Sequence, residues 1–408
     1  MNRQLKLRAL LINAPRDHED WRAAFCEASG IELVNVRSVE QLNAELQSAP
    51  AFALIGDGGQ DIDALSALCA VANNVRRCPI ILLGEGDYRR LQGLQLCAQE
   101  VGVPISAALR GCIDGVRLAR TLSRVDEGTL SPTVEELRQA LMDQSLSLYF
   151  QPKFDCRDRG RRIVSLEALV RWEHPELGLL LPGQFLPLAR DNNLLLELTD
   201  FTLTESIHQI ALWRERKLDV TVAVNLATEL LHDAYFGERL LSYLRQFDVA
   251  PERLVLEVQE APSMSDRRTY LDILTTLQVE GVGLALDDFG TGYSSLTELY
   301  RSPFQEVKLD ASLVADAARS PRARNVVRSI ITLAHDLSMT VCAEAVESRA
   351  VLDFLVGAGC DFAQGNFLCE PRTLFELEPL LTAQGRMDGD TTQAPVRPRS
   401  DGYLALVN

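Results

Sequence analysis

The chain has 408 residues, of which 47% are hydrophobic and 24% charged, a composition typical of a soluble globular protein with two or three domains. Its formal net charge of −16 argues against nonspecific binding to DNA or RNA. With no membrane-length apolar run, no signal peptide and nine cysteines without a Cys-x-x-Cys pair, we expect a cytoplasmic protein with reduced thiols.

Residues 1–125 alternate five strand-like segments with helix-like segments. This alternation predicts a doubly wound, flavodoxin-like parallel sheet, which resembles the response-regulator receiver fold in outline. The predicted strands are Arg8–Asn13, Ile31–Val36, Phe52–Asp57, Pro79–Leu83 and Val103–Ser106. The predicted helices lie near Asp17–Ala28, Val39–Gln47, Ile62–Val71, Tyr88–Glu100 and Ile113–Leu122.

The chemistry that the receiver resemblance implies is absent from this domain. Asn13 and Ala14 stand where receivers have an acidic pair, and the position of the phosphoacceptor is matched about equally well by Gly56 and Asp57. Gly84 replaces the hydroxyl residue, and no lysine lies between Lys6 and Lys153. Phosphoryl transfer to an aspartate needs a bound Mg²⁺. We therefore predict a degenerate receiver-like domain that serves in docking to a protein partner or in dimerisation.

A polar segment at residues 126–132, containing Gly and Pro, predicts a linker to a second domain at 133–385. Thr133 and Glu136 fit a capping box at the start of a helix. Two adjacent strands, near 146–150 and 163–170, predict an antiparallel hairpin, and six further strands alternate with helices. The pattern predicts a TIM-type (β/α)8 barrel with an antiparallel first strand. The polar tail at 386–408 is predicted to be disordered.

Polar side chains follow the predicted barrel strands from the second strand onward. They are Glu167, Asn225, Glu257, Asp287 with Asp288, Lys308 with Asp310, Glu344 and Gln364. Active sites of such barrels lie at the carboxyl ends of the strands, so we expect these side chains to converge there. Adjacent carboxylates are costly unless neutralised, and hard divalent cations prefer carboxylate oxygens. The sequence therefore predicts a metal-dependent active site.

Several motifs match a known family in order and spacing. They are Gln151-Pro152, Glu167–Trp172, Val224–Leu226, Leu256–Glu260, Asp287–Leu296, Lys308–Asp310, Ala343–Glu347 and Gln364-Gly365. On these residues the chain resembles the EAL-domain cyclic-di-GMP phosphodiesterases from about residue 134 to 385. The resemblance implies hydrolysis of one phosphodiester bond of cyclic-di-GMP to linear pGpG, with two Mg²⁺ or Mn²⁺ ions as cofactors. It also implies a homodimer or a higher oligomer.

The resemblance assigns a role to each motif residue. The implied metal ligands are Glu167, Asn225, Glu257, Asp287, Asp288 and Glu344, with Asp287 bridging the two ions. The implied catalytic residues are Asp288, Lys308, Glu344 and Glu347. The implied substrate-binding residues are Gln151, Arg171 and Gln364. Glu260 is implied to brace the loop after Asp288, and Asp310 to hold Lys308.

The chain departs from the family pattern without losing a metal ligand. Gln259 replaces Thr, Ala345 replaces Gly and Asn366 replaces an aromatic residue. Displacement of a reacting group by about 1 Å can cost roughly a hundredfold in rate. Two alternatives to a freely active enzyme therefore stay open. One is a catalytically silent EAL module that senses cyclic-di-GMP or binds a protein, and the other is an enzyme that its N-terminal domain inhibits.

Overall fold

A computed structural model of the chain describes residues 7–388 apart from several short ranges. The ranges outside the description are 14–18, 49, 58–61, 75–78, 85–90, 92–93, 96–97, 99–104, 111–114, 127–130, 144, 159–161, 176, 260–266 and 291–295. The described residues form two compact units. The first contains the chain up to Ser147 together with Val170–Leu195, and the second contains Leu148–Leu169 and the chain from Leu196 onward.

The first unit contains the predicted doubly wound sheet. Its parallel strands are β1 (Arg8–Ile12), β2 (Glu32–Val36), β3 (Phe52–Gly56), β4 (Ile80–Gly84) and β5 (Ile105–Arg110), in the order β2-β1-β3-β4-β5. The helices that alternate with them include Glu19–Ser29, Val39–Leu46, Ala64–Asn74 and Gly115–Asp126. Alternate residues of β1 enter two hydrophobic cores, with Leu10 in one and Leu11 in the other, as a sheet covered on both faces requires.

The first unit also contains a helix at Val134–Met142, whose predicted capping box is confirmed. Thr133 Oγ1 accepts from Glu136 N, and Thr133 N donates to Glu136 Oε2 at 2.8 Å. A short strand that the sequence did not predict, β8 (Gly178–Leu180), pairs antiparallel with residues 172–174. A helix at Pro182–Asp191 follows it.

The second unit contains the barrel apart from the first two residues of β6 and the last five of β7, and the predicted architecture is confirmed. The strands are β6 (Leu146–Asp155), β7 (Ile163–His174), β9 (Val222–Leu226), β10 (Leu254–Gln259), β11 (Gly283–Phe289), β12 (Glu306–Leu309), β13 (Thr340–Ala343) and β14 (Phe362–Ala363). They follow the ring order β6-β14-β13-β12-β11-β10-β9-β7, which β7 closes against β6. The β6–β14 pairing is antiparallel, and the pairings from β7 through β9 to β14 are parallel.

Helices and short 3-10 turns follow the barrel strands along the chain. The helices are Leu195–Glu215, Phe236–Gln246, Arg267–Val279, Leu296–Arg301, Ala311–Arg319, Pro321–Asp336, Arg349–Ala358 and Leu374–Asp388, and the 3-10 turns are Thr228–His232 and Pro251–Arg253. Among the described helices, none is both long enough and apolar enough to cross a lipid bilayer.

The domain boundaries stay predictions. Most of the predicted linker at 126–132 and residues 389–408 of the predicted tail lie outside the described residues. Most of the helix predicted near Tyr88–Glu100 lies outside them as well.

Strand alternation decides which barrel side chains reach the site. Leu256 and Val258 of β10 are buried in the hydrophobic core of the second unit, so Glu257 between them points to the opposite face. On β12, Val307 and Leu309 belong to that same core and Lys308 faces away from it. Because these strands run parallel, their carboxyl ends meet at one rim of the barrel.

Candidate active site

Lys308 is the centre of the polar cluster at this rim. Its side chain is only 1% exposed, and its ammonium contacts carboxylates from four strands or strand ends. Nζ lies 2.6 Å from Glu257 Oε2, 2.6 Å from Glu344 Oε1, 3.3 Å from Asp287 Oδ1 and 3.6 Å from Glu167 Oε2. One positive charge therefore faces four acidic groups in a largely buried site.

Glu167 is held by amides on both of its oxygens. Asn225 Nδ2 donates to Oε1 at 2.8 Å, and Gln364 Nε2 donates to Oε2 at 2.6 Å. Gln364 Nε2 is also 3.0 Å from Gln151 Oε1, and Gln151 Nε2 donates to the carbonyl of Cys369 at 3.0 Å. This chain of amides fixes the orientation of the Glu167 carboxylate.

Asp287, Asp288 and Glu344 form a carboxylate cluster that suits a metal ion. Each offers one oxygen, and these oxygens lie within 4.8 Å of one another. Among the described side chains, Asp287 Oδ1 is a buried oxygen that accepts no hydrogen bond, although Lys308 Nζ is 3.3 Å away. An oxygen without a hydrogen bond in a converging set of carboxylates is the donor that a hard divalent cation takes.

The electrostatics of the cluster show that its negative charge is not fully balanced. Burial, together with the charge of Glu167, holds the pKa of Glu257 well above its usual range. Burial also raises the pKa of Glu344 to about 7, against the opposing effect of Lys308. Burial and the neighbouring Asp287 raise the pKa of Asp288. A bound cation would favour the ionised form of each of these carboxyls.

Glu167 and Lys308 stay charged in this cluster. Burial acts against the charged form of Glu167, but the Lys308 charge and the two amide donors lower its pKa overall. Burial likewise acts against the Lys308 ammonium, but Glu167 and Glu257, followed by Glu344 and Asp287, hold its pKa well above the usual range. The site therefore keeps a fixed cation beside a surplus of acidic groups.

A cavity of about 260 Å³ opens beside these groups. Its lining residues are Gln151, Glu167, Glu344, Ala345, Glu347, Gln364, Gly365 and Asn366. Five of them were singled out from the sequence as site residues, and Glu347 lies among them as an exposed carboxylate. The strand-end pattern thus leads to one continuous site.

Three further predicted site residues either make other contacts or lie outside the described residues. Asp310 accepts from Ser312 N at 2.9 Å and caps the next helix, and among the described residues it makes no ion pair with Lys308. Arg171 is buried in the first unit and donates to the carbonyl of Val170 at 2.9 Å. Glu260 lies outside the described residues. Their implied roles stay predictions.

The structure adds a contact that the sequence did not reveal. Gln259 Nε2 donates to Asp288 Oδ2 at 2.6 Å. The available signal was strand alternation, which puts Gln259 on the same face as Glu257. The contact itself depends on the backbone of Asp288, whose φ of 55° is left-handed and could not be predicted from the residue type.

Comparison with known proteins identifies the barrel. The EAL domain family model matches residues 134–371. The bifunctional diguanylate cyclase/cyclic di-GMP phosphodiesterase MucR of Pseudomonas aeruginosa is 38% identical over 239 residues, which cover 58% of this chain and 35% of MucR. The cyclic di-GMP phosphodiesterase PdeR of Escherichia coli is 34% identical over 235 residues, which cover 58% of this chain and 35% of PdeR.

A solved structure agrees with these matches. The PaMucR phosphodiesterase in complex with c-di-GMP aligns with a TM-score of 0.56 and 37% identity, covering 60% of this chain and 98% of that chain. The alignments span about a third of the length of the two curated relatives. Because the family model covers more than half of the chain and includes the barrel strands with their converging side chains, the chain belongs to the EAL domain family.

Proposed function

We propose that the barrel is a cyclic-di-GMP phosphodiesterase that hydrolyses one phosphodiester bond to give linear pGpG. The observation that supports it best is the convergence of Asp287, Asp288 and Glu344 beside Lys308 at the carboxyl ends of the strands. The names of MucR and PdeR give this activity for those proteins. A site built from oxygens and one ammonium is suited to phosphoryl chemistry, in which positioning and charge do most of the work.

Two divalent cations, Mg²⁺ or Mn²⁺, would supply an activated water and stabilise the attacking and leaving oxygens. The residues proposed to hold them are Glu167, Asn225, Glu257, Asp287, Asp288 and Glu344. Asn225 and Gln364 orient Glu167 through their amide donors, so that carboxylate needs little rearrangement to bind. Lys308 would position the water or neutralise charge on the phosphoryl oxygens.

Bound cations would also offset the negative charge that the site presents to a phosphate-bearing ligand. A cyclic dinucleotide carries two phosphate charges, and the cavity is lined by the carboxylates of Glu167, Glu344 and Glu347. Without added positive charge, these groups would repel the ligand. Gln151 and Gln364 offer amide groups at the cavity wall, and Arg171 is proposed as a phosphate contact.

The N-terminal sheet is proposed to regulate the barrel or to dock a partner rather than to accept a phosphoryl group. Its support is the composition of its strand ends, where Asn13 and Gly84 replace groups that phosphoryl transfer to Asp57 would need. We also propose a homodimer or higher oligomer, which sedimentation of the purified protein would test.

The direct test is turnover of cyclic-di-GMP by the full chain, with pGpG followed by chromatography. We expect product with Mg²⁺ or Mn²⁺ and none with EDTA. Glu167→Ala should abolish turnover, whereas Glu215→Ala, a matched change at an exposed position, should not. Ligand binding without turnover would instead favour a sensor, and product only after removal of residues 1–126 would indicate autoinhibition.

A further inference from the structure

Gln259 occupies a position from which it can act on the metal cluster. It is the last residue of β10 and lies two residues beyond Glu257, so both side chains leave the same face of the strand. Its direct partner in the parallel pairing with β11 is Asp287. The side chain of Gln259 therefore starts beside the first member of the Asp287–Asp288 pair.

The contact that Gln259 makes is with the second member of that pair. Its Nε2 donates to Asp288 Oδ2 at 2.6 Å, a short hydrogen bond to a charged acceptor. Asp288 has a left-handed backbone with φ of 55°, and the β11–β12 register shifts between Leu286 and Phe289. The backbone turns Asp288 out of the strand alternation, and the amide of Gln259 then holds its carboxylate.

We propose that Gln259 is a positioning residue that holds Asp288 ready to bind a divalent cation. Each carboxylate oxygen offers two acceptor directions, so the hydrogen bond from the amide does not prevent Oδ2 itself from binding a metal. In the held position, Asp288 meets Asp287 and Glu344 within 4.8 Å. A donor of this kind also favours the ionised carboxylate that binds metal.

This inference rests on the proposed two-metal function. It concerns the binding of only one of the two ions. The other proposed ligands Glu167 and Asn225 are held by their own hydrogen bonds and do not depend on Gln259. Loss of the Gln259 amide should therefore weaken one cation site and spare the other. Groups that orient a metal ligand typically contribute roughly 10- to 100-fold in affinity.

The test is Mn²⁺ binding to the full chain without substrate, with free Mn²⁺ measured by electron paramagnetic resonance. Gln259→Met keeps the length of the side chain but removes the donor. We expect one of two Mn²⁺ sites to lose about tenfold in affinity while the other site is unchanged. Gln246→Met, an equivalent change on an exposed helix position, should leave both sites as in the wild type.

The dependence of turnover on Mn²⁺ concentration supplies a second measurement. A residue with a purely structural role would not change this dependence in the same way. In Gln259→Met, the Mn²⁺ concentration for half-maximal rate should rise about tenfold, with kcat at saturating Mn²⁺ nearly restored. Two Mn²⁺ sites of unchanged affinity in Gln259→Met would overturn this inference alone. A wild-type protein that binds fewer than two Mn²⁺ ions would overturn the two-metal proposal and this inference with it.

Discussion

The chain contains two sets of parallel strands, and the carboxyl ends of the two sets differ in chemistry. In the barrel, the Lys308 ammonium lies among four acidic groups, those of Glu167, Glu257, Asp287 and Glu344. In the N-terminal sheet, β1 is followed by the uncharged residue Asn13 and β4 ends at the uncharged residue Gly84, whereas single charged residues, Asp57 and Arg110, lie at the ends of β3 and β5. The carboxyl end of parallel strands is the usual position of a site in both architectures.

At the end of β1, the uncharged side chain is hydrogen-bonded to backbone groups of the same unit. Asn13, directly after β1, is 3% exposed and has a left-handed φ of 54°. Its Nδ2 donates to the carbonyl of Ile62 at 2.6 Å, and its Oδ1 accepts from Ile62 N at 3.1 Å. The position where a receiver would have an acidic group is therefore occupied by a satisfied amide. Topology gives a possible place for a site, and only the residues there give it a function.

The largest expected difference between the two regions is in turnover. Asp287→Asn removes one charge from the carboxylate cluster and should lower cyclic-di-GMP hydrolysis by about a thousandfold or more, because metal stabilisation of the transition state contributes several kcal/mol. Asp57→Asn makes the same chemical change after β3 and should leave the rate unchanged. Rates measured at saturating Mn²⁺ would check both. A comparable loss in both variants would contradict the assignment of chemistry to the barrel alone.

The second prediction concerns stability in the absence of metal. Lys308→Met leaves four buried or half-buried carboxylates without their cation, which should destabilise the barrel by about 3–5 kcal/mol. Hydrogen exchange of the β10–β12 amides in EDTA would measure the loss, and saturating Mn²⁺ should recover part of it. Lys217→Met, at an exposed position, is the matched control. Hydrogen exchange in Lys308→Met that equals exchange in the wild type would show that the lysine does not stabilise the four carboxylates.

The sequence predicted the barrel because its strands are short, apolar and closed by polar residues. The two hairpin strands begin at the predicted residues, 146 and 163, and extend four or five residues beyond their predicted ends. The strand β8 was missed because it has only three residues, fewer than a hydrophobic pattern needs to be recognised. Strand ends that run parallel must meet, so the convergence of Glu257 and Lys308 could be anticipated before their contact was seen.

Contacts that depend on special backbone conformations could not be predicted in this way. The bond between Gln259 and Asp288 follows from a left-handed residue at 288, and alternation alone would have turned that carboxylate away. Asp310 caps the helix that follows it, a local contact that its residue type allows but does not single out. Competition between local capping and long-range pairing is decided by geometry that residue types do not contain.

A smaller effect is expected at the end of β1 in the N-terminal sheet, where Asn13 bonds to Ile62. Asn13→Ala leaves the buried N–H and carbonyl of Ile62 without their side-chain partner, which should cost about 2–3 kcal/mol locally. Hydrogen exchange of β1 and β3 amides would measure it, with the exposed Asn35→Ala as control, expected within about 0.5 kcal/mol. Turnover should be unaffected. An unchanged exchange rate would mean that Asn13 does not stabilise this strand end.

The smallest predicted effect is on stability, at two residues with a left-handed backbone. Asn13 has a φ of 54° and Ala345 a φ of 47°. Alanine pays a steric cost of about 1–2 kcal/mol there, and glycine recovers it while losing about 0.4–1 kcal/mol through the unfolded chain. Ala345→Gly should therefore stabilise the barrel by about 0.5–1 kcal/mol.

Asn13→Gly should have the opposite sign, since asparagine tolerates this conformation and its amide bonds to Ile62 would be lost. Hydrogen exchange in each region measures the two changes in stability separately. Ser338, an exposed residue with φ of 60°, provides the control, because Ser338→Gly relieves backbone strain away from the site. Stabilisation by both Asn13→Gly and Ala345→Gly would show that strain outweighs the side-chain bonds at both places. Opposite signs would show that the N-terminal sheet uses its left-handed residue to close a strand end, whereas the barrel tolerates a strained one beside its cavity.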